Sequence, residues 1–331
     1  MFKHWNKVTK GLYYLQRGVV QLDSWNYYKG EHFDMKDWKI LLGPMRLPFV
    51  ILAPVCVVVG MGAAYWTTGH VNWLYFALTL VAGIAAHISV NAFNEYFDFK
   101  TGLDARTQRT PFSGGSGTLQ ARPDLERGAL IIAWTAFGIT AVIGAFFTYR
   151  WGGQALPLGI LGLFLLYGYT AWMVYDPILC LLTPGLGFGP LMVLSTYFAL
   201  TGTYSWQALV ASLVPFFLVS DLLLLNQFPD LEADRSSGRR HYPILVGRTL
   251  SGYIYIAFLI ASYLVIALGV VSGLLPRFSL LGLLTLVLAV QVIRSLLSKP
   301  DDIPALIPSM GRNVLINLLT PALLTLGFFI H

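Results

Sequence analysis

Nine stretches of the chain run mostly apolar for about 20 residues, the length needed to cross the hydrocarbon core of a bilayer as a helix. They cover roughly 47–66, 73–97, 128–148, 154–175, 184–204, 207–229, 250–273, 278–298 and 312–330. Polar residues fall into the intervals between them. The pattern predicts an all-α integral membrane protein of nine spans over residues 41–331. Residues 1–40 carry no apolar signal-peptide core. They interleave Trp5, Tyr13, Tyr14, Trp25, Tyr27, Tyr28 and Trp38 with Lys3, Lys7, Lys10 and Arg17. Such a lead is expected to lie along an anionic leaflet.

Composition narrows the class further. Apolar residues make up 56% of the chain and charged residues 11%, less than half the roughly 25% of soluble domains. A soluble globular protein, a disordered chain and a disulfide scaffold are thereby excluded. The two cysteines, Cys56 and Cys180, both sit in apolar runs and read as buried, inert thiols. Nucleic acid is not an expected partner; lipid is.

Nine spans place alternate connections on opposite faces. Of the 22 Lys and Arg residues, all but Arg150 and Arg277 fall on the face of the N-terminus. The positive-inside rule makes that face cytoplasmic, and a bacterial cytoplasmic membrane is the expected location. All 16 acidic residues lie in loops on the same face or in the halves of spans nearest it. Both signs of charge on one face place the chemistry there.

Two acidic helix ends stand out. The second span closes with Asn91, Asn94, Glu95 and Asp98, and Asp104 follows in the loop. On a helix, Asn91, Asn94 and Asp98 share one face and Glu95 lies beside it. The sixth span closes with Asn226, Asp230 and Asp234, again one stripe, with Pro229 expected to bend or end the helix. Carboxylates near hydrocarbon need partners. Oxygen-rich ligand sets without paired His or Cys suit a hard cation, and Mg²⁺ is the usual one beside phosphates. Two such clusters facing each other across a cavity could hold ions that bridge a diphosphate. Lys100, Arg106 and Arg109 follow the first cluster and Arg235, Arg239 and Arg240 the second, a supply of cations for a diphosphate leaving group. Ser113-Gly-Gly-Ser-Gly117 could offer backbone N–H groups to phosphate, or form a flexible lid.

The run Asn91-x-x-Asn94-Glu95-Tyr-Phe-Asp98-x-x-x-Gly102-x-Asp104, with Asp230-Leu-Glu-Ala-Asp234-x-x-x-Gly238-Arg239, resembles the paired aspartate-rich motifs of the UbiA superfamily of intramembrane prenyltransferases. Gly102 before Asp104, and Tyr169-Thr with Pro184-Gly-Leu-Gly187-Phe-Gly189-Pro190 and Thr196-Tyr197, are similar to its MenA-type branch, the 1,4-dihydroxy-2-naphthoate polyprenyltransferases. The likeness runs from about residue 40 to the C-terminus. Three departures are visible. Glu95 stands where the family usually has aspartate, the second motif's basic pair is Arg239-Arg240, and His241-Tyr242-Pro243 replaces a common Thr-Leu.

The resemblance implies a nine-helix horseshoe around a cavity open sideways to lipid, and Mg²⁺-dependent transfer of a polyprenyl group from its diphosphate to an aromatic acceptor. Asp98 and Asp230 are the implied catalytic centres. Asp98 and Asp104, with Asn94 and Glu95, would hold one Mg²⁺; Asp230 and Asp234, with Asn226, the other. Lys100, Arg109, Arg239 and Arg240 would meet the diphosphate, and Asn91, Tyr167, Tyr169 and Tyr197 the prenyl chain or acceptor. 4-Hydroxybenzoate, a homogentisate or another quinone or lipid precursor stays open as acceptor. A transporter and a catalytically silent assembly subunit are the alternatives of different class. His87, on the Asn91 stripe, reads mainly as a packing histidine. Asp221 points away from Asp230, and Asn313 and Asn317 read as interhelical glue.

Overall fold

The computed structural model of the protein describes residues 40–330. The interfacial reading of the N-terminal lead falls on residues 1–39 and so lies outside the described residues. Within them the chain is helical, and eight helices are long and apolar enough to cross a membrane. A bent pair, Leu42–Val50 followed by α1 (Leu52–Thr68), turns by 44° at the join and makes the count nine if it crosses as one span. The others are α2 (Trp73–Thr101), α3 (Glu126–Trp151), α4 (Leu156–Ala171), α5 (Pro177–Thr201), α6 (Trp206–Ser236), α7 (Tyr242–Val271), α8 (Arg277–Ser298) and α9 (Ile303–Phe329). Successive helices pack side by side, and α9 also packs against α1.

Helices outrun the apolar stretches that announce them. A hydropathy run measures hydrocarbon thickness, whereas the helix continues wherever caps and neighbours satisfy its backbone. The expected fifth span, 184–204, starts seven residues earlier, because Asp176 accepts hydrogen bonds from the N–H groups of Ile178 and Leu179, and Pro177 occupies the first turn. It passes Pro190 through a π-helical turn, Gly187–Leu191. There Gly189 is obligatory: a Cβ on it would lie 2.5 Å from the carbonyl oxygen of Ser212 in α6. α9 likewise begins at Ile303, capped by Asp302. α7 begins at Tyr242 and breaks at Gly247 (φ 79°) before the expected start at 250.

The largest correction concerns Pro229. α6 does not end there but runs on to Ser236. Proline is tolerated inside a membrane helix when neighbours take up the backbone groups it disturbs. Beside the proline, Arg248 of α7 braces the helix, donating from Nε and Nη2 to the Phe228 carbonyl at 3.0 and 2.9 Å. The continuation keeps Asn226, Asp230 and Asp234 on one helical face.

Candidate active site

α2 and α6 carry their acidic ends to a common cavity of about 540 Å³. Asn91, Asn94 and Asp98 line it from α2, and Asn226, Asp230 and Asp234 from α6. α2 stops at Gly102, whose left-handed conformation (φ 69°) turns the chain back. The N–H of Leu103 then bonds the Asp98 carbonyl, and Asp104 returns to the cavity, where Gln120 donates to its Oδ2 at 3.0 Å. Below this polar mouth the cavity is apolar, walled by α3, α4 and α5 residues including Leu158, Leu166, Phe188 and Met192.

Arg239 joins the two clusters. Its guanidinium pairs with Asp98 through Nη2 and with Asp234 Oδ1 at 3.1 Å through Nη1. Burial works against its charge, but the two carboxylates outweigh burial and raise its pKa. His241 completes the bridge, its Nε2 lying 2.9 Å from Asp234 Oδ2. In the adjoining loop, burial and the neighbouring charges of Asp98 and Glu95 push Asp104 up to about 6.

Other expected residues stand elsewhere. Glu95 is fully buried beside the cavity wall, with its oxygens bonded to Arg46 and Ser116. Lys100 reaches outward to Glu126 at 2.6 Å and lies over the Tyr96 ring. Arg109 is tied to Gln120 Oε1 at 3.0 Å beneath Gly117. Arg240 is exposed; one residue from Arg239, it leaves the chain in a different direction. Of the three tyrosines, Tyr169 lines the cavity. Tyr167 packs instead among Phe93, Phe97, Trp134 and Trp172, because two residues along a helix turn a side chain well away from its neighbour's face. Tyr197 is spent on a hydrogen bond to Thr67 in α1, 3.1 Å away.

Arg46 and Gln120 join the site without a motif to mark them, Ser113 enters it from the Gly-rich run, and His241 from the loop after α6. Arg46 and Ser113 line the cavity, and Ser113 lies beside Asp230. The signal for Arg46 was its place directly before the first apolar run, a lone cation at a span mouth.

A UbiA prenyltransferase family model matches residues 53–312. The chain belongs to that family. It is 26% identical over 267 residues to the 2-carboxy-1,4-naphthoquinone phytyltransferase of Synechocystis, covering 77% of this chain and 82% of that protein. To the 1,4-dihydroxy-2-naphthoate octaprenyltransferase of Bacillus subtilis it is 26% identical over 265 residues, covering 78% and 83%. The fold matches a UbiA homolog from Aeropyrum pernix K1 with a TM-score of 0.64 at 17% identity, over 85% of this chain and 97% of the other. It also matches a UbiA homolog from Archaeoglobus fulgidus bound to DMAPP and Mg²⁺, with a TM-score of 0.57 at 13% identity, over 88% and 99%. The protein is therefore a multi-pass membrane enzyme of prenyl transfer, which sets aside the transporter and the silent subunit.

Proposed function

We propose that the protein moves a polyprenyl group from its diphosphate to a naphthoate acceptor of the 1,4-dihydroxy-2-naphthoate type, with Mg²⁺ bound at the cavity mouth. One observation carries the reading. Arg239 touches Asp98 of α2 and Asp234 of α6 at once, so both acidic ends lie within reach of a single diphosphate. The names of the relatives in Synechocystis and Bacillus subtilis support the acceptor class.

The donor set suits Mg²⁺. Each half-site offers carboxylate and amide oxygens: Asn94, Asp98 and Asp104 on one side, Asn226, Asp230 and Asp234 on the other. Asn226 Oδ1 and Asp230 Oδ1 make no hydrogen bond and belong to residues lining the cavity, which leaves both oxygens available to a cation there. Among the described residues no three His, Cys, Asp or Glu side chains form a metal cage by themselves. Mg²⁺ is ordinarily held by one or two carboxylates together with substrate phosphates, so these residues would hold it together with the diphosphate.

When bound, the metal neutralises the diphosphate and makes it a better leaving group. Arg239 and Arg46 add fixed positive charge where the oxygens gain it. The bond between C1 and oxygen breaks, and its electron pair leaves with the diphosphate. The allylic cation would form in the apolar cavity, away from bulk water, and Tyr169, which lines that cavity, would offer its ring face to positive charge. The acceptor ring attacks C1 and then loses a proton or CO₂. We place this mouth on the cytoplasmic side, the face that holds nearly all the basic residues.

Detergent-purified protein, Mg²⁺, a radiolabelled polyprenyl diphosphate and a panel of aromatic acceptors test the reading. A prenylated naphthoate is expected only with the metal, and none from Asp98→Ala or Asp230→Ala. A metal-independent product would refute the mechanism. Transfer to 4-hydroxybenzoate but not to the naphthoate would refute the acceptor.

A further inference from the structure

Glu95 belongs to the first aspartate-rich motif yet turns away from the cavity that its neighbours line. A carboxylate with no exposed surface must be matched by donors, and Glu95 is matched completely. Its Oε1 accepts from Arg46 Nε at 3.1 Å and from the backbone N–H of Ser116, and its Oε2 accepts from Ser116 Oγ at 3.0 Å.

Both partners sit at special points of the backbone. Arg46 adopts the left-handed conformation (φ 49°) at the joint between the short helices Leu42–Met45 and Leu47–Val50, a state costing about 1 kcal/mol or more for a residue with a Cβ. Ser116 lies in a turn whose glycines 114, 115 and 117 all have positive φ. That turn presses on the site: a Cβ on Gly115 would come within 2.7 Å of Asp104 Oδ2. Three residues back along the same loop, Ser113 lies beside Asp230. One carboxylate thus ties the head of the first span, the end of α2 and the loop that roofs both acidic clusters.

We propose that Glu95 is a positioning residue rather than a metal ligand: it pins the Gly114–Gly117 turn to α2 and thereby sets Asp104 at the cavity mouth. The inference deepens the metal-diphosphate reading above and rests on it. The side-chain length is part of the device. An aspartate, one methylene shorter, would not reach Arg46 and Ser116 together.

Hydrogen exchange and Mn²⁺ titration of the full-length protein in detergent separate pin from ligand. With the pin removed in Glu95→Gln, Gly114–Gly117 amides should exchange about tenfold faster, the worth of roughly one hydrogen bond. Ser116→Ala should shift exchange the same way, and the double variant should add little to either, because the two residues make one interaction. Glu95→Asp should not restore protection. Mn²⁺ affinity in Glu95→Gln should fall much less than in Asp98→Asn, and kcat per folded molecule should drop. Unchanged loop exchange with Mn²⁺ binding lost as fully as in Asp98→Asn would overturn the proposal, and so would additive effects of Glu95→Gln and Ser116→Ala. Failure of wild-type protein to prenylate any acceptor would instead sink the functional reading and leave the exchange result standing.

Discussion

α6 contributes polar groups to two places, and they differ in what surrounds them. Asn226, Asp230 and Asp234 open onto the cavity, opposite α2 and under the guanidinium of Arg239. Nine residues before Asp230, on the other face, Asp221 is sealed between helices and does not line the cavity. Near it Tyr255 of α7 donates to Asn313 Oδ1 of α9 at 2.9 Å, and Asn317 Nδ2 donates to the Asn313 carbonyl at 3.0 Å. The second set is a packed seam. Polar side chains inside a membrane protein therefore do not mark a reaction centre by themselves. Open volume and a facing cation distinguish the first set from the second.

The sharpest way to break that distinction is to remove the cation. Arg239→Ala should lower kcat/KM for prenyl transfer by about 10²–10³, the usual loss when a preorganised charge-stabilising donor is deleted. Lys100→Ala, whose side chain faces Glu126 outside the cavity, should change it by less than about threefold, as expected of an exposed ion pair. Steady-state kinetics on both variants check the contrast. If the two losses were equal, long-range charge rather than bridging geometry would govern the site.

The converse experiment cuts the seam. Asn313→Leu leaves the buried Tyr255 hydroxyl without its acceptor and should cost about 1–3 kcal/mol of stability, read as a lower thermal midpoint in detergent. Transfer per folded molecule should be unchanged. A loss of kcat comparable with that of Arg239→Ala would show that the seam communicates with the site.

The contrast also explains what could be read in the chain beforehand. Spans were legible because an apolar run is a local property of sequence. The aspartate stripes were legible because helical periodicity alone brings Asn226, Asp230 and Asp234 together. Direction beyond one helix was not. Lys100, Arg109 and Arg240 are as basic and as near the motifs as Arg239, yet only the turn after α6 sends Arg239 inward. Glu95 and Tyr167 lie one or two positions from cavity residues, enough on a helix to face different neighbours. Arg46 and Gln120 belong to the site through tertiary contact alone, and nothing local announced that α6 would run on past Pro229 to Ser236.

The smallest expected effect concerns protons. Asp104, in the loop after α2, is pushed up to about 6 by burial first and then by Asp98 and Glu95. A carboxyl raised above its ordinary range stabilises the fold while protonated, and that contribution is lost as pH rises through about 6. The thermal midpoint without divalent cations should therefore fall as pH rises from about 4 to 6, the window between the ordinary and raised values. Metal binding should run the other way, because a ligating carboxylate must first lose its proton. Mn²⁺ affinity should climb through pH 6. In Asp104→Asn, affinity should be lower at pH 7 and the climb centred near 6 should shrink. A wild-type affinity flat across that range would take Asp104 out of the metal site, leaving the α6 cluster and Asp98 to hold the diphosphate.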